Sequence, residues 1–142
     1  KDRTKQLRLL AGLGGFRDPA LVQRALDLVL GGEFDLRETR AILLRLIHTR
    51  ETRAPAWKFV QARASDLLSR LRSDEASGSI EQIASIFCDD ASRRELSALF
   101  TPLAAKIDGG QYALAQALDE VGRCIRTQAR IRSSAAEFFA RY

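Results

Sequence analysis

The stretch that decides the fold is LRETRAILLRLIH at residues 36–48, followed by TRAPAWKFVQARASDLLSRL at residues 52–71. In both segments apolar residues recur at the three- and four-residue spacing of an α-helix. The first presents Leu36, Leu43, Leu46 and Ile47 on one face, and the second presents Trp57, Val60, Ala64, Leu67, Leu68 and Leu71. No segment of the chain shows the strict alternation of a half-buried strand. These patterns predict an all-α fold.

Helix start and stop signals divide the N-terminal part of the chain. A first helix ends at about Leu13, where the glycines at 12, 14 and 15 supply a permissive backbone. Asp18 is the predicted N-cap of a second helix, and Pro19 takes its first position, where a missing N–H costs nothing. That helix runs to about Leu30.

The signals are weaker in the second half. Polar residues at 73–79 predict a break, and a short fifth helix then runs through residues 80–87. A sixth helix begins at Asp90, and Pro102 is expected to kink or split it. A long helix starts after Gly110. About seven to eight helices with short loops predict antiparallel pairs in an α-solenoid arrangement that is HEAT- or ARM-like in shape.

Length and composition indicate a single globular helical domain over residues 1–142, with 46% hydrophobic and 29% charged residues. No apolar run approaches the length of a membrane span, and the N-terminus lacks a signal-peptide pattern. The chain contains no Met and opens in mid-helix style. We therefore expect a fragment of a larger protein, with any targeting segment outside it.

The two cysteines, Cys88 and Cys124, fit a reduced cytosolic thiol pair more simply than a disulfide framework, because a chain of this size has little need of disulfides. We therefore expect a cytoplasmic location. A bond between the two cysteines is the alternative.

Arginine dominates the basic residues, at 19 of 23, and the net charge is +5. The surplus lies in residues 1–72, which hold 15 basic and 8 acidic side chains. Arg123, Arg126 and Arg130 share one helical stripe, which suits contact with phosphate or a peptide carboxylate. A solvated helix face explains the same stripe, and a coding bias explains the arginine count.

No catalytic constellation is visible. A zinc hydrolase needs three protein ligands, typically including two His at i and i+4, and His48 is the only histidine. Neither cysteine has an activating neighbour in sequence. The run GLGG at 12–15 resembles a phosphate loop but lacks the preceding strand and the following Lys, so we interpret it as a helix stop.

Two segments carry a family resemblance: LAGLGGFRDPALVQRALDLVLGGEF at residues 10–34 and APAWKFVQARASDLLSRL at residues 54–71. With a later LAQAL element that begins at Leu114, they resemble the C-terminal helical domain of the aminopeptidase N family of zinc metallopeptidases. The FRDP piece is the most specific part. Relatives often carry an Arg before the last element and an Asn and a Trp after it, where this chain has Tyr112, Cys124 and Thr127.

The resemblance implies that the chain is a C-terminal fragment of a multidomain aminopeptidase, which removes N-terminal residues from peptides and holds zinc and the catalytic residues in an upstream domain. It implies no catalytic residue and no metal in this chain. In relatives the helical domain forms a bowl over the active site and limits peptide access. Arg17, Arg123 and Arg126 are then the candidates for contact with the peptide's C-terminal carboxylate. The expected partners are the upstream catalytic domain and the peptide, with no nucleic acid and no membrane.

Two other functions are compatible with the residues alone. A free-standing helical-repeat scaffold would bind a protein partner through its basic N-terminal half. Nucleic-acid binding by the same half is a weaker alternative, whose signature would be a salt-sensitive affinity.

Overall fold

The computed structural model describes residues 2–141, which contain seven α-helices and no strand. The all-α class is therefore confirmed, and the helix count lies within the predicted range. The helices are α1 (Arg3–Leu13), α2 (Pro19–Leu30), α3 (Leu36–His48), α4 (Arg53–Ser69), α5 (Ser73–Ala84), α6 (Asp90–Ala104) and α7 (Gly110–Phe139).

The chain forms two compact units, with unit 1 extending to Ala76 and unit 2 beginning at Ser77, so that the division falls inside α5. Compact packing units also occur within single domains. The single domain and the solenoid arrangement expected from the sequence therefore stay predictions.

In unit 1, α3 is the central helix, because it packs against α1, α2 and α4. Its apolar face is fully enclosed: Ile42, Leu43, Leu46 and Ile47 are each at most 1% exposed. Neighbouring helices contribute Val22, Leu26 and Val29 from α2, and Ala56, Val60 and Leu67 from α4. The segment whose periodicity is clearest in the sequence is thus the one that the core is built around.

Side chains from the following elements satisfy the carbonyl groups that α2 and α3 leave unpaired at their C-terminal ends. The buried Thr39 hydroxyl donates to Val29 O at 2.9 Å, in the last turn of α2. The buried Thr52 hydroxyl donates to Leu46 O at 2.6 Å, and Arg53 Nε donates to Ile47 O at 3.2 Å. These bonds fix where α4 begins relative to the end of α3.

In unit 2, α6 packs against α7 around Leu96, Phe100, Ala104, Ala117 and Val121, all of which are buried. The turn between the two helices needs glycine: Gly109 has φ +73°, and a Cβ on Gly110 would lie 2.6 Å from Ala104 O. Although α7 has 30 residues, no helix within the described part of the chain is both long and apolar enough to cross a membrane.

The predicted break at 73–79 is wrong, because α5 already begins at Ser73. Its first turn holds Asp74 and Glu75, which favour a helix N-terminus. Beneath the polar residues, Ala76, Ile80 and Ile83 are at most 1% exposed and recur at i, i+4 and i+7. The serines and the glycine between them concealed this periodicity.

The predicted effect of Pro102 is also corrected in part, because the proline does not split α6. It lies in the last turn, and the helix ends two residues later at Ala104. Proline removes a hydrogen bond only one turn back along the helix, so near the C-terminus it shortens the helix rather than dividing it.

The expectation of reduced cysteines is wrong, because Cys88 and Cys124 form a disulfide with a Cα–Cα distance of 5.3 Å. Cys88 lies in the loop between α5 and α6, and Cys124 lies on α7. The two residues are 36 positions apart, and only the packing in unit 2 brings them within the range of a disulfide.

Candidate arginine sites for anion binding

The FRDP element is a helix start, and its geometry determines what Arg17 can do. Asp18 Oδ1 accepts hydrogen bonds from Ala20 N and Leu21 N at 3.0 and 3.1 Å, and Pro19 occupies the first position of α2. This is the cap predicted from the sequence. Because a carboxylate already occupies the helix N-terminus, an external anion has no place to dock there.

Arg17 is exposed but engaged with its own loop. Its Nη1 donates to the carbonyl oxygens of Gly15 and Phe16, both at 2.9 Å, and its Nε lies 4.0 Å from a Glu51 carboxylate oxygen. These contacts fold the guanidinium over the turn between α1 and α2. Of the predicted carboxylate contacts, Arg17 is the one in unit 1.

Arg123 also has partners on its own helix. Its guanidinium lies 3.6 Å from Glu120 and 3.8 Å from Asp119, and 59% of its side chain is exposed. Pairs of this kind, one turn apart on a helix surface, neutralise charge and contribute little to stability. An incoming carboxylate would compete with two that are already present.

Arg126 differs from both, because none of the carboxylates in residues 2–141 forms an ion pair with it. A Cβ on Gly122 would lie 3.3 Å from Arg126 Nη1 and 3.7 Å from Arg93 Cζ. Two guanidinium groups, one from α7 and one from α6, therefore flank the same glycine. A side chain at this position would be in close contact with both groups.

Arg93 was not among the residues predicted from the sequence. Its Nε donates to Leu118 O at 3.0 Å, which orients the guanidinium along α7. Like Arg126, it forms no ion pair within the described residues. Two unpaired cations beside one glycine can hold a carboxylate or a phosphate group between them, because guanidinium N–H groups match the geometry of both anions.

A cavity of about 340 Å³ adjoins Arg93. It is lined by Asp90, Arg93, Arg94, Ser97 and Leu118. Two guanidinium groups against one carboxylate give the lining a net positive charge. The size and the charge of the cavity suit a small anionic group rather than a large apolar ligand.

The start of α6 is anchored beside this cavity by Asp89. Its carboxylate accepts hydrogen bonds from Ser92 N at 2.8 Å and from the Ser92 hydroxyl at 2.7 Å. The bond from the Ser92 backbone N–H is the main cause that lowers the pKa of Asp89, and the hydroxyl bond adds to it. The carboxylate is thus committed to capping α6.

The predicted site residues lie in different parts of the structure and have different neighbours. Arg17 lies in unit 1, whereas Arg123 and Arg126 lie on α7 in unit 2. On α7 the arginine stripe is not uniform, because Arg123 faces carboxylates while Arg126 lies next to Arg93. No sequence signal connects residues 93 and 126, since the contact depends on how α6 packs against α7.

The described residues contain no group of three or more His, Cys, Asp or Glu side chains that could hold a metal ion. The fold and these surfaces together define a helical domain with basic surface sites. A family model described as the ERAP1-like C-terminal domain matches residues 1–123, and the chain belongs to this family. The resemblance read from the FRDP and AWKFV elements is thereby confirmed, and the family is one of aminopeptidase C-terminal domains. A search of curated proteins found no match, and neither did a search of solved structures.

Proposed function

We propose that this chain is the non-catalytic C-terminal domain of a zinc aminopeptidase that releases N-terminal residues from peptides. In this proposal it caps the active-site chamber of the upstream catalytic domain and controls which peptides enter. Zinc would be held by that upstream domain, where it would polarise the scissile carbonyl and activate water. The family match supports the assignment of the chain as a C-terminal domain of an aminopeptidase.

The observation that carries a peptide-binding role is the pair of unpaired guanidinium groups at Gly122, from Arg93 and Arg126. A peptide that enters a chamber presents one group that is the same for every sequence, its C-terminal carboxylate. Two convergent guanidinium groups would hold that carboxylate without reading any side chain. Arg123 is a weaker candidate because its guanidinium faces two carboxylates. Arg17 is weaker because its Nη1 donates to two carbonyl oxygens and its Nε lies near Glu51, whereas Arg93 donates to one carbonyl through Nε and has no carboxylate partner among the described residues.

The test uses the complete enzyme and two versions of one peptide, with a free and an amidated C-terminus. Arg126→Ala should lower kcat/KM for the free acid by about three- to tenfold, the range for an exposed charge pair of about 1 kcal/mol. Hydrolysis of the amidated peptide and of an amino-acid anilide should not change. Arg93→Ala should behave in the same way. Arg123→Ala is the matched control on α7, and it should have little effect.

Equal losses for the free and the amidated peptide would contradict carboxylate recognition by this pair. The domain assignment has a separate test. The purified 142-residue protein should not hydrolyse amino-acid anilides with or without added zinc, and turnover by this chain would overturn the assignment.

The disulfide also bears on the location of the protein. The expected cytoplasmic location rested in part on reduced cysteines, and the disulfide counts against it, because such bonds persist mainly in oxidising compartments. We propose an oxidising compartment instead. Alkylation of the protein in its native cells, without added reductant, should leave Cys88 and Cys124 unmodified.

A further inference from the structure

The disulfide of unit 2 lies at the surface rather than in the core. Cys124 is exposed and Cys88 is half-buried. Buried disulfides resist exchange because a thiolate cannot reach them, whereas exposed ones are the labile class. The position of the bond therefore makes it chemically accessible in the folded protein.

A cavity of about 680 Å³ adjoins the bond, and both cysteines contribute to its lining. This volume is within the usual range for small-molecule sites. Charged side chains from the same wall of α7 are Glu120, Arg123 and Arg132. Since Glu120 lies 3.6 Å from Arg123, these two charges largely cancel.

Arg132 supplies the remaining charge of the cavity. It forms no ion pair within the described part of the chain. An unpaired cation beside an accessible disulfide attracts an anionic nucleophile and raises its local concentration. A thiol that carries a carboxylate or sulfonate group meets both requirements of the site, because it can attack sulfur and can pair with a guanidinium.

We propose that the Cys88–Cys124 disulfide is an exchange site for low-mass anionic thiols, and that they attack at Cys124. The incoming thiolate forms a bond to Cys124 Sγ, and the bond between Cys124 Sγ and Cys88 Sγ breaks. Its electron pair leaves on Cys88 Sγ, which takes a proton from water. The product is one mixed disulfide and one free thiol, so the number of disulfides is unchanged in this step.

A second molecule of the same thiol completes the reduction. Its thiolate attacks the sulfur of the bound thiol, and Cys124 leaves as a thiolate that is then protonated. The two small thiols are thereby oxidised to their own disulfide, and both cysteines are reduced. The overall reaction unlinks the loop before α6 from α7.

The geometry favours Cys124 as the attacked atom and Cys88 as the leaving group. Cys124 is the more exposed of the two. Attack on Cys124 breaks the bond between the two sulfur atoms, so Cys88, in the loop before α6, is the leaving group.

The test measures exchange rates of the folded, oxidised protein with three thiols of similar size: 2-mercaptoethanesulfonate, 2-mercaptoethanol and cysteamine. Rates are expressed per thiolate and divided by the rate of the same thiolate with a neutral small-molecule disulfide, so that differences in thiol pKa and in intrinsic nucleophilicity are removed. The anionic thiol should react about three- to tenfold faster than the cationic one at low salt, and the difference should shrink toward unity at about 1 M salt. Peptide mapping should place the adduct on Cys124.

Variants separate the charge effect from general accessibility. Arg132→Ala should abolish the preference for the anionic thiol, and it should lower the rate with 2-mercaptoethanol less than the rate with 2-mercaptoethanesulfonate, because their thiolates carry one and two negative charges. Arg132→Lys should retain the preference. Arg141→Ala removes a cation from the same end of the chain but outside the cavity, and it should have no effect. Equal rates for the three thiols, an adduct on Cys88, or a bond that reacts only in denaturant would each overturn the proposal. It does not rest on the proposed peptidase role.

Discussion

Removal of the disulfide should cost the protein a large part of its stability. The perturbation is the double substitution Cys88→Ser and Cys124→Ser. The bond closes a loop across 36 positions, and the loss of that closure from the unfolded chain corresponds to about 4 kcal/mol at 25 °C. All of α6 lies within this loop, with Phe100 and Leu96 at 0% exposure.

This loss is large compared with the total free energy of unfolding. Domains of this class are stable by roughly 5–15 kcal/mol, so the loss is between about a quarter and four fifths of the free energy of unfolding. Because Cys124 is exposed and Cys88 is half-buried, the serine side chains add little cost of their own. The effect should therefore come mainly from the unfolded state, whose chain becomes free to separate the two positions.

The assay is urea unfolding followed by far-UV circular dichroism, with and without a reductant. The unmodified protein should lose about 4 kcal/mol when reductant is added, whereas the double variant should be insensitive to it. Alkylation without reductant checks that the bond is formed before unfolding. A difference below about 1 kcal/mol between the oxidised protein and the variant would refute this reasoning about loop closure.

Two further predictions concern the core and one surface pair. Phe100→Ala should lower the free energy of unfolding by about 3–5 kcal/mol, because Phe100 is 0% exposed. Phe139→Ala is the matched control at 74% exposure and should change it by less than about 0.5 kcal/mol. Similar losses at both positions would contradict the assigned core. Asp35 has a pKa lowered to about 2, chiefly by the side-chain hydrogen bond from Arg37. Its stabilising effect should be present above the unfolded pKa and disappear as pH falls through about 2. Carboxyl NMR titration should show the Asp35 pKa rising toward 3.8 in Arg37→Ala, and an unshifted pKa in the unmodified protein would exclude this pairing.

The sequence by itself determined the all-α class and most helix limits in the first half of the chain. The predicted range of α3, Leu36 to His48, is the observed one, and Asp18 and Pro19 begin α2 as expected. These features are local. Caps, first-turn prolines and apolar spacing act within about four residues, so the local sequence is enough to predict them. The family resemblance also rested on such local elements.

Only the tertiary structure decided how α6 meets α7, and the chemistry of unit 2 follows from that contact. The disulfide joins residues 36 positions apart, and Arg93 and Arg126 converge on Gly122 from different helices. Neither pairing has a local signal, because the distance between residues on two helices depends on side-chain packing along the whole interface. The cysteines and the arginines are visible in the sequence, but the packing of α6 on α7 determines which of them lie close together.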